Sequence, residues 1–129
     1  MDSVVHFEIP VDNLERGKKF YKSTFGWKTN DFPELKYVIM QTTEIGKNMM
    51  PKEVGMINGG MMKRNEMVKY PVLTIDVDDI DSALNKIEKN GGKILAKKMS
   101  VGDMGYSAYF KDSEGNVVGL WEYTKKNSK

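Results

Sequence analysis

No cysteine occurs in the 129 residues, which removes disulfides, thiolate metal sites and cysteine nucleophiles together. Histidine is almost as scarce, since His6 is the only imidazole in the chain. An excess of one charge is also lacking: 20 basic residues against 18 acidic ones give +2, and they are spread along the chain without the basic stripe that a phosphate backbone requires. Nucleic acid is therefore not an expected partner. Long apolar runs are missing too, and the start MDSVVHFEIP carries neither a basic region nor a hydrophobic stretch, so a cytoplasmic protein with no membrane partner is expected. The pair Gly59-Gly60 lacks the following Lys-Ser of a phosphate loop, and no serine sits in a nucleophile elbow. Four prolines in a chain that is 40% hydrophobic and 29% charged exclude the disordered and collagen-like classes.

What the chain does contain is a repeat. The stretch HFEIPVDNLERGKKFYKSTFG, His6 to Gly26, returns as VLTIDVDDIDSALNKIEKNGG, Val72 to Gly92, at a constant offset and without a gap. Ile9 meets Ile75, Val11 meets Val77, Asp12 meets Asp78, Leu14 meets Ile80 and Gly26 meets Gly92. Each copy reads as a strand, an acidic turn, a helix and a terminating glycine. A period this long means two copies of one supersecondary unit, each too small to bury a core alone. The length suits one domain built from two such halves.

In chain order, Val4 to Val11 alternates as a half-buried strand, with Val5, Phe7, Ile9 and Val11 on the face that wants a helix. Asp12 or Asn13 caps that helix, Glu15 suggests a capping box, its stripe is Leu14, Gly17, Tyr21 and Phe25, and Gly26 ends it in a left-handed conformation. Extended structure resumes at Trp27-Lys28 and breaks at Phe32-Pro33-Glu34. Tyr37 to Thr42 predicts a strand with an exposed polar edge, and Glu44 to Asn48 a turn. Met49 to Lys63 predicts a strand at its centre with flexible shoulders, and Arg64 to Lys69 a polar linker between the halves. The second copy repeats strand and helix, with Asp78 or Asp79 as cap, a stripe of Ile80, Ala83, Leu84 and Ile87, and Gly91-Gly92 as the stop. Strands follow at Lys93–Lys97, Tyr106–Lys111 and Val117–Tyr123, the last two joined by a turn at Asp112–Asn116. The tail from Thr124 to Lys129 is expected to fray. Each half is thus β-α-β-β-β.

Opposite the apolar face of the first strand lie His6 and Glu8, and in the second copy Thr74 and Asp76. A solvated, ligand-facing surface would carry residues of this kind, with the two carboxylates suited to a cationic or hydroxyl-bearing ligand. A plain exposed sheet face is the alternative. Met49, Met50, Met56, Met61 and Met62 would form either an adaptable apolar wall or part of a core or interface.

The element order, the H-x-x-x-x-V-x-[DN] start at His6, the glycine-terminated helices and the ending D-S-E-G-N-V-V-G-L-W-E resemble the glyoxalase, bleomycin-resistance and extradiol-dioxygenase superfamily, also called vicinal oxygen chelate. The likeness spans nearly the whole chain. It implies an α+β fold in which two tandem β-α-β-β-β modules, about 1–63 and 70–124 of a single domain, form a curved, cup-shaped mixed sheet with the helices outside. It also implies a homodimer and a small-molecule ligand in the cup. The metal enzymes of the family draw ligands from a histidine opening the first strand, its counterpart in the second module, and a carboxylate in each module's last strand. His6 fills the first place. Val72 and Gly119 stand at two others, and Glu53 is the only acid near the fourth. The resemblance therefore points to a metal-free small-molecule binder, with no cofactor, contacting its ligand through His6, Glu8, Thr74, Asp76, Gly119 and Trp121. Gly119 would leave empty space and Trp121 would stack on the ligand or pack in a core. The alternatives are a metal-dependent lyase, isomerase or dioxygenase with unconventional ligands such as His6, Glu8 and Asp76, a metal-free enzyme with His6 or a cup-facing acid as general base, and a module whose sheet edge or methionine surface binds another protein.

Overall fold

The structure, a computed structural model, describes residues 1–47 and 50–124. Met49, Asn48 at the end of the predicted turn, and the tail beyond Thr124 lie outside them. The order is β1 (Val4–Val11), α1 (Leu14–Phe25), β2 (Lys28–Phe32), a 3-10 turn at Pro33–Leu35, β3 (Tyr37–Gln41), β4 (Asn58–Lys63), β5 (Val72–Asp76), α2 (Ile80–Lys89), β6 (Lys93–Val101), β7 (Gly105–Lys111) and β8 (Val117–Tyr123). The fold class is α+β, as the resemblance implies. The chain divides into two compact units, His6–Pro71 and a second made of Val72–Lys129 with Met1–Val5.

The repeat is one of topology. Strand order is β2-β3-β4-β1 in the first unit and β6-β7-β8-β5 in the second. In both, the first strand pairs in parallel with the last and the remaining pairs are antiparallel. Glu8 stands opposite Gly60, and Thr74, its counterpart in the repeat, stands opposite Gly119.

Asn13 is the N-cap of α1, its Oδ1 accepting from the Arg16 N–H at 2.9 Å. The predicted capping box fails for that reason: the third helical residue is Arg16, and Glu15 pairs instead with Lys18 at 2.8 Å. The helix lies close on the sheet at Gly17, where an added Cβ would stand 3.0 Å from Met61 Sδ and from Val11 Cγ1. Beneath it Val38, Met40 and Met61 are buried, with Phe7, Val11, Leu14, Tyr21 and Trp27 packed around them. Phe25 departs from the expected stripe and is 61% exposed, in ring contact with Tyr21 and Trp27. Of the methionines, Met61 is core and Met56 is exposed.

Gly26 has φ 74°, and its N–H bonds the Lys22 carbonyl. Nothing lies within 4 Å of an added Cβ there, so substitution would cost backbone strain and no packing. Gly26→Val is expected to lose about 1 kcal/mol or more in urea denaturation, with Gly26→Asn losing less because asparagine tolerates the left-handed region. Equal stability of the valine variant would refute the strain. In the second copy the left-handed residue is Gly91 (φ 94°), one place earlier than the alignment has it, while Gly92 is needed because a Cβ would meet Ile87 and the Lys111 carbonyl.

In the second unit Asp79 caps α2, whose Ile80 and Leu84 are buried against Val77, Ala108, Phe110 and Leu120. Glu122 adds a cap that sequence reasoning missed. Its Oε1 accepts from the Ile80 N–H at 2.8 Å while Oε2 pairs with Lys98 Nζ at 3.2 Å, tying the end of β8 to the start of the helix. The Asp112–Asn116 turn closes on Asp112, whose carboxylate accepts from Asn116 Nδ2 and from the N–H groups of Asn116 and Glu114. These bonds hold it below the usual carboxylate range.

Three strand expectations change. β3 is an interior strand between β2 and β4, with Val38 and Met40 buried, and not an edge. The strand predicted at the centre of Met49–Lys63 occupies its end, and β6 runs to Val101 through two register shifts. The stretch after Lys63 is also more than a polar linker. Val68 is fully buried, Asn65 Oδ1 accepts from the Met67 and Val68 N–H groups, and Arg64 bonds Asp12, the Pro10 carbonyl and the Lys69 carbonyl.

Candidate functional site

Strand alternation places Phe7 and Val11 under α1, and His6 and Glu8 on the other face of the first unit's sheet. That face is not the solvated surface the sequence suggests, because Glu8 is 8% exposed. What covers it is Tyr37, at the start of β3, whose hydroxyl donates to Glu8 Oε2 at 2.8 Å and stands 2.8 Å from His6 Nε2.

The reach is unusual. β4 lies between β3 and β1, so the pair spans two strand spacings, about 10 Å. It does so because the intervening residue is Gly60, where a Cβ would fall 1.8 Å from Tyr37 Oη. The neighbouring Gly59 makes the matching allowance on the helix face, where a Cβ would lie 2.4 Å from the Phe7 ring. The double glycine therefore lets one aromatic side chain lie across each face of the same strand.

A hydroxyl carries one proton, and Tyr37 gives it to Glu8. The His6 ring must then donate from Nε2, which fixes the tautomer. Burial pushes the His6 imidazole down to about 4, so it is neutral at physiological pH.

In the second unit Thr74 is 6% exposed and stands over Gly119, whose added Cβ would lie 3.0 Å from Thr74 Oγ1 and 3.6 Å from the Tyr109 ring. The place a Cβ would take at Gly119 is therefore already against Thr74. Trp121 opposes Asp76 on β5, sits over Gly105, and meets Tyr123 edge-on with centroids 5.8 Å apart. Leu73, expected on the helix-covered face, is 55% exposed, since α2 covers only Ile75 and Val77 of that strand's end.

At the places from which the metal enzymes of the family draw ligands, few of the residues present are ligands. Val72 is buried and apolar, Gly60 and Gly119 occupy matching last-strand positions, Glu53 is exposed outside β4, and His6 spends Nε2 on Tyr37. Among the described residues no three His, Asp or Glu side chains converge. Nor is any helix among them long and apolar enough to cross a membrane.

Sequence reasoning names His6, Glu8, Thr74, Asp76, Gly119 and Trp121 as candidate ligand contacts and does not name Tyr37 or Gly60. The available signal was Gly59-Gly60 inside a strand, where glycine marks a close approach.

Comparison with known proteins agrees with this architecture. Residues 3–43 match the family described as bleomycin resistance protein-like N-terminal. A glyoxylase-like domain-containing protein of Didymella fabae is 35% identical over 117 residues, covering 85% of this chain and 85% of that protein. Among solved structures, a methylmalonyl-CoA epimerase in complex with methylmalonyl-CoA and NH4+ aligns with a TM-score of 0.66 at 15% identity over 98% of this chain and 97% of its own. A variant of the Streptomyces coelicolor methylmalonyl-CoA epimerase bound to 2-nitronate-propionyl-CoA gives 0.65 at 15% identity over 95% of each chain. At such identity the structural likeness is one of fold, whereas the fungal relative carries the family. The chain belongs to the glyoxalase and bleomycin-resistance, or vicinal oxygen chelate, superfamily.

Proposed function

We propose that this chain is a cytoplasmic, homodimeric small-molecule-binding member of the superfamily that works without a metal, and that its ligand meets the His6–Tyr37–Glu8 line of the first module. The part-buried line, with Glu8 at its buried end, carries the reading. Removing a carboxylate and an imidazole from water is costly, and a fold that needed only a core would place apolar groups there. The CoA compounds held by the epimerases support a fold suited to organic ligands. Thr74, Asp76, Gly119 and Trp121 are proposed in their own right as ligand contacts of the second module.

A second reading has one observation in its favour: a hydroxyl hydrogen-bonded to both an imidazole and a carboxylate is a continuous proton path, as a metal-free isomerase or lyase would use. A thermal-shift screen of amphiphilic and aromatic compounds tests the binding reading. A ligand at a hundred times its dissociation constant should add about 2.7 kcal/mol to the folded state, and the gain should shrink in Tyr37→Phe. A library in which nothing stabilises the parent would remove the binding reading. Elemental analysis tests the metal-free part, which a full equivalent of divalent metal lost on His6→Ala would overturn. A monomeric mass by light scattering would remove the dimer.

A further inference from the structure

We propose that the first-module site recognises a hydrogen-bond donor on its ligand, such as a hydroxyl, an amide N–H or an alkylammonium, through Nδ1 of His6, and that it discriminates against carboxylates and phosphates. The inference deepens the binding reading above and rests on it. Its basis is hydrogen-bond bookkeeping. Tyr37 has one proton and gives it to Glu8, so the lone pair of its hydroxyl receives the Nε2 proton of His6. A neutral ring with its proton on Nε2 is an acceptor at Nδ1. That atom has no partner among the described residues, and it is not sealed from solvent either, because no buried side-chain nitrogen or oxygen among them lacks a partner. Nδ1 of His6 therefore accepts and cannot donate. An anionic acceptor placed against it would set lone pair against lone pair with no proton between them.

The distinction is sharp because neutral imidazole has two tautomers with opposite demands. A protonated Glu8 would reverse the chain of donors, put the proton on Nδ1, and make the site select acceptors.

His6 is the only histidine, so nitrogen-15 spectra of the uniformly labelled protein contain one imidazole. Long-range nitrogen–proton correlations at neutral pH are expected to show a protonated Nε2 and an unprotonated Nδ1. On titration with phenol, benzyl alcohol, benzamide and benzylamine, the Nδ1 resonance is expected to move saturably toward the hydrogen-bonded position. Benzoate and phenyl phosphate at the same concentrations should leave it unmoved. A Nδ1–H tautomer, or benzoate acting as well as benzyl alcohol, overturns the donor preference while leaving small-molecule binding intact. If none of the six probes moves the resonance, the assignment of ligand to His6 is overturned, and a positive thermal-shift screen would then place binding elsewhere. Tyr37→Phe serves as the internal check. It frees Nε2, and with the tautomer no longer held the difference between benzyl alcohol and benzoate is expected to narrow. An unchanged difference would also count against the mechanism.

Discussion

Gly60→Ala is expected to be among the most damaging single substitutions in the first module, although it adds one methyl group. The new carbon would lie 1.8 Å from Tyr37 Oη and 2.0 Å from Cζ, so the ring cannot stay where it is. Moving it breaks both 2.8 Å bonds and leaves a buried carboxylate and an imidazole without the hydroxyl that joins them. Overpacking and lost polar partners together should cost about 3 kcal/mol or more. Tyr37→Phe, which keeps the ring and removes only the hydroxyl, should cost about 1–3 kcal/mol. The double variant Gly60→Ala/Tyr37→Ala removes the collision along with the ring, so the two single losses should fall short of additivity by at least about 1 kcal/mol. Urea denaturation of the parent, Gly60→Ala, Tyr37→Ala and the double variant gives the cycle. Strict additivity, or a Gly60→Ala protein as stable as the parent, would mean that Tyr37 does not cross β4.

The second large effect is a dependence of stability on pH carried by His6. Burial lowers the imidazole from 6.5 to about 4 in the folded protein, so between those values the unfolded chain binds the proton and the folded chain does not. Stability therefore rises with pH across this window. The full stability is present above about pH 6.5, and it is lost progressively as the pH falls toward 4, by an amount on the order of 3 kcal/mol. Urea midpoints taken between pH 4.5 and 7.5 should fall steadily on the acid side. In His6→Gln, which can still donate an N–H to Tyr37 but cannot titrate, the same series should be nearly flat. Parallel curves for the two proteins would show that His6 is not buried in the neutral form. Asp112 does not confuse the result. Its carboxyl is lowered from 3.8, so its contribution is present above that value and lost only as the pH falls further.

The parts of this fold that were legible in the sequence are those where local chemistry and period agree. α2 has its cap at Asp79 and its stripe at Ile80, Ala83, Leu84 and Ile87, and β8 is a run of strand-forming residues that starts at the Asp112–Asn116 turn, so both could be read from neighbours alone. β4 could not. Its glycines look like turn residues until it is known that Phe7 and Tyr37 need the space, and those side chains come from strands more than twenty positions away in sequence. β6 was cut short because Lys97 and Lys98 break the alternation at a place where the register shifts, a device that also blunts an edge strand. The candidate site was half legible. Alternation put His6 and Glu8 on the correct face, but exposure was misjudged, because the group that buries Glu8 arrives from across an intervening strand. Gly119 shows the same limit: sequence gives a missing side chain, and only the structure shows that Thr74 stands against the place its Cβ would take.

The assignment of Met1–Val5 to the second unit bears on how the halves of such a protein can be separated. β5 is bonded on one side to β8, and on the other the Asp76 N–H is met by the Ser3 carbonyl. A fragment starting at Val72 would keep α2 and strands β5 to β8, yet it would open a new strand edge at β5, which bears the exposed Leu73. Open edges of this kind recruit further strands. Such a fragment should self-associate, and a short peptide with the sequence of the first five residues should act as its edge-capping inhibitor.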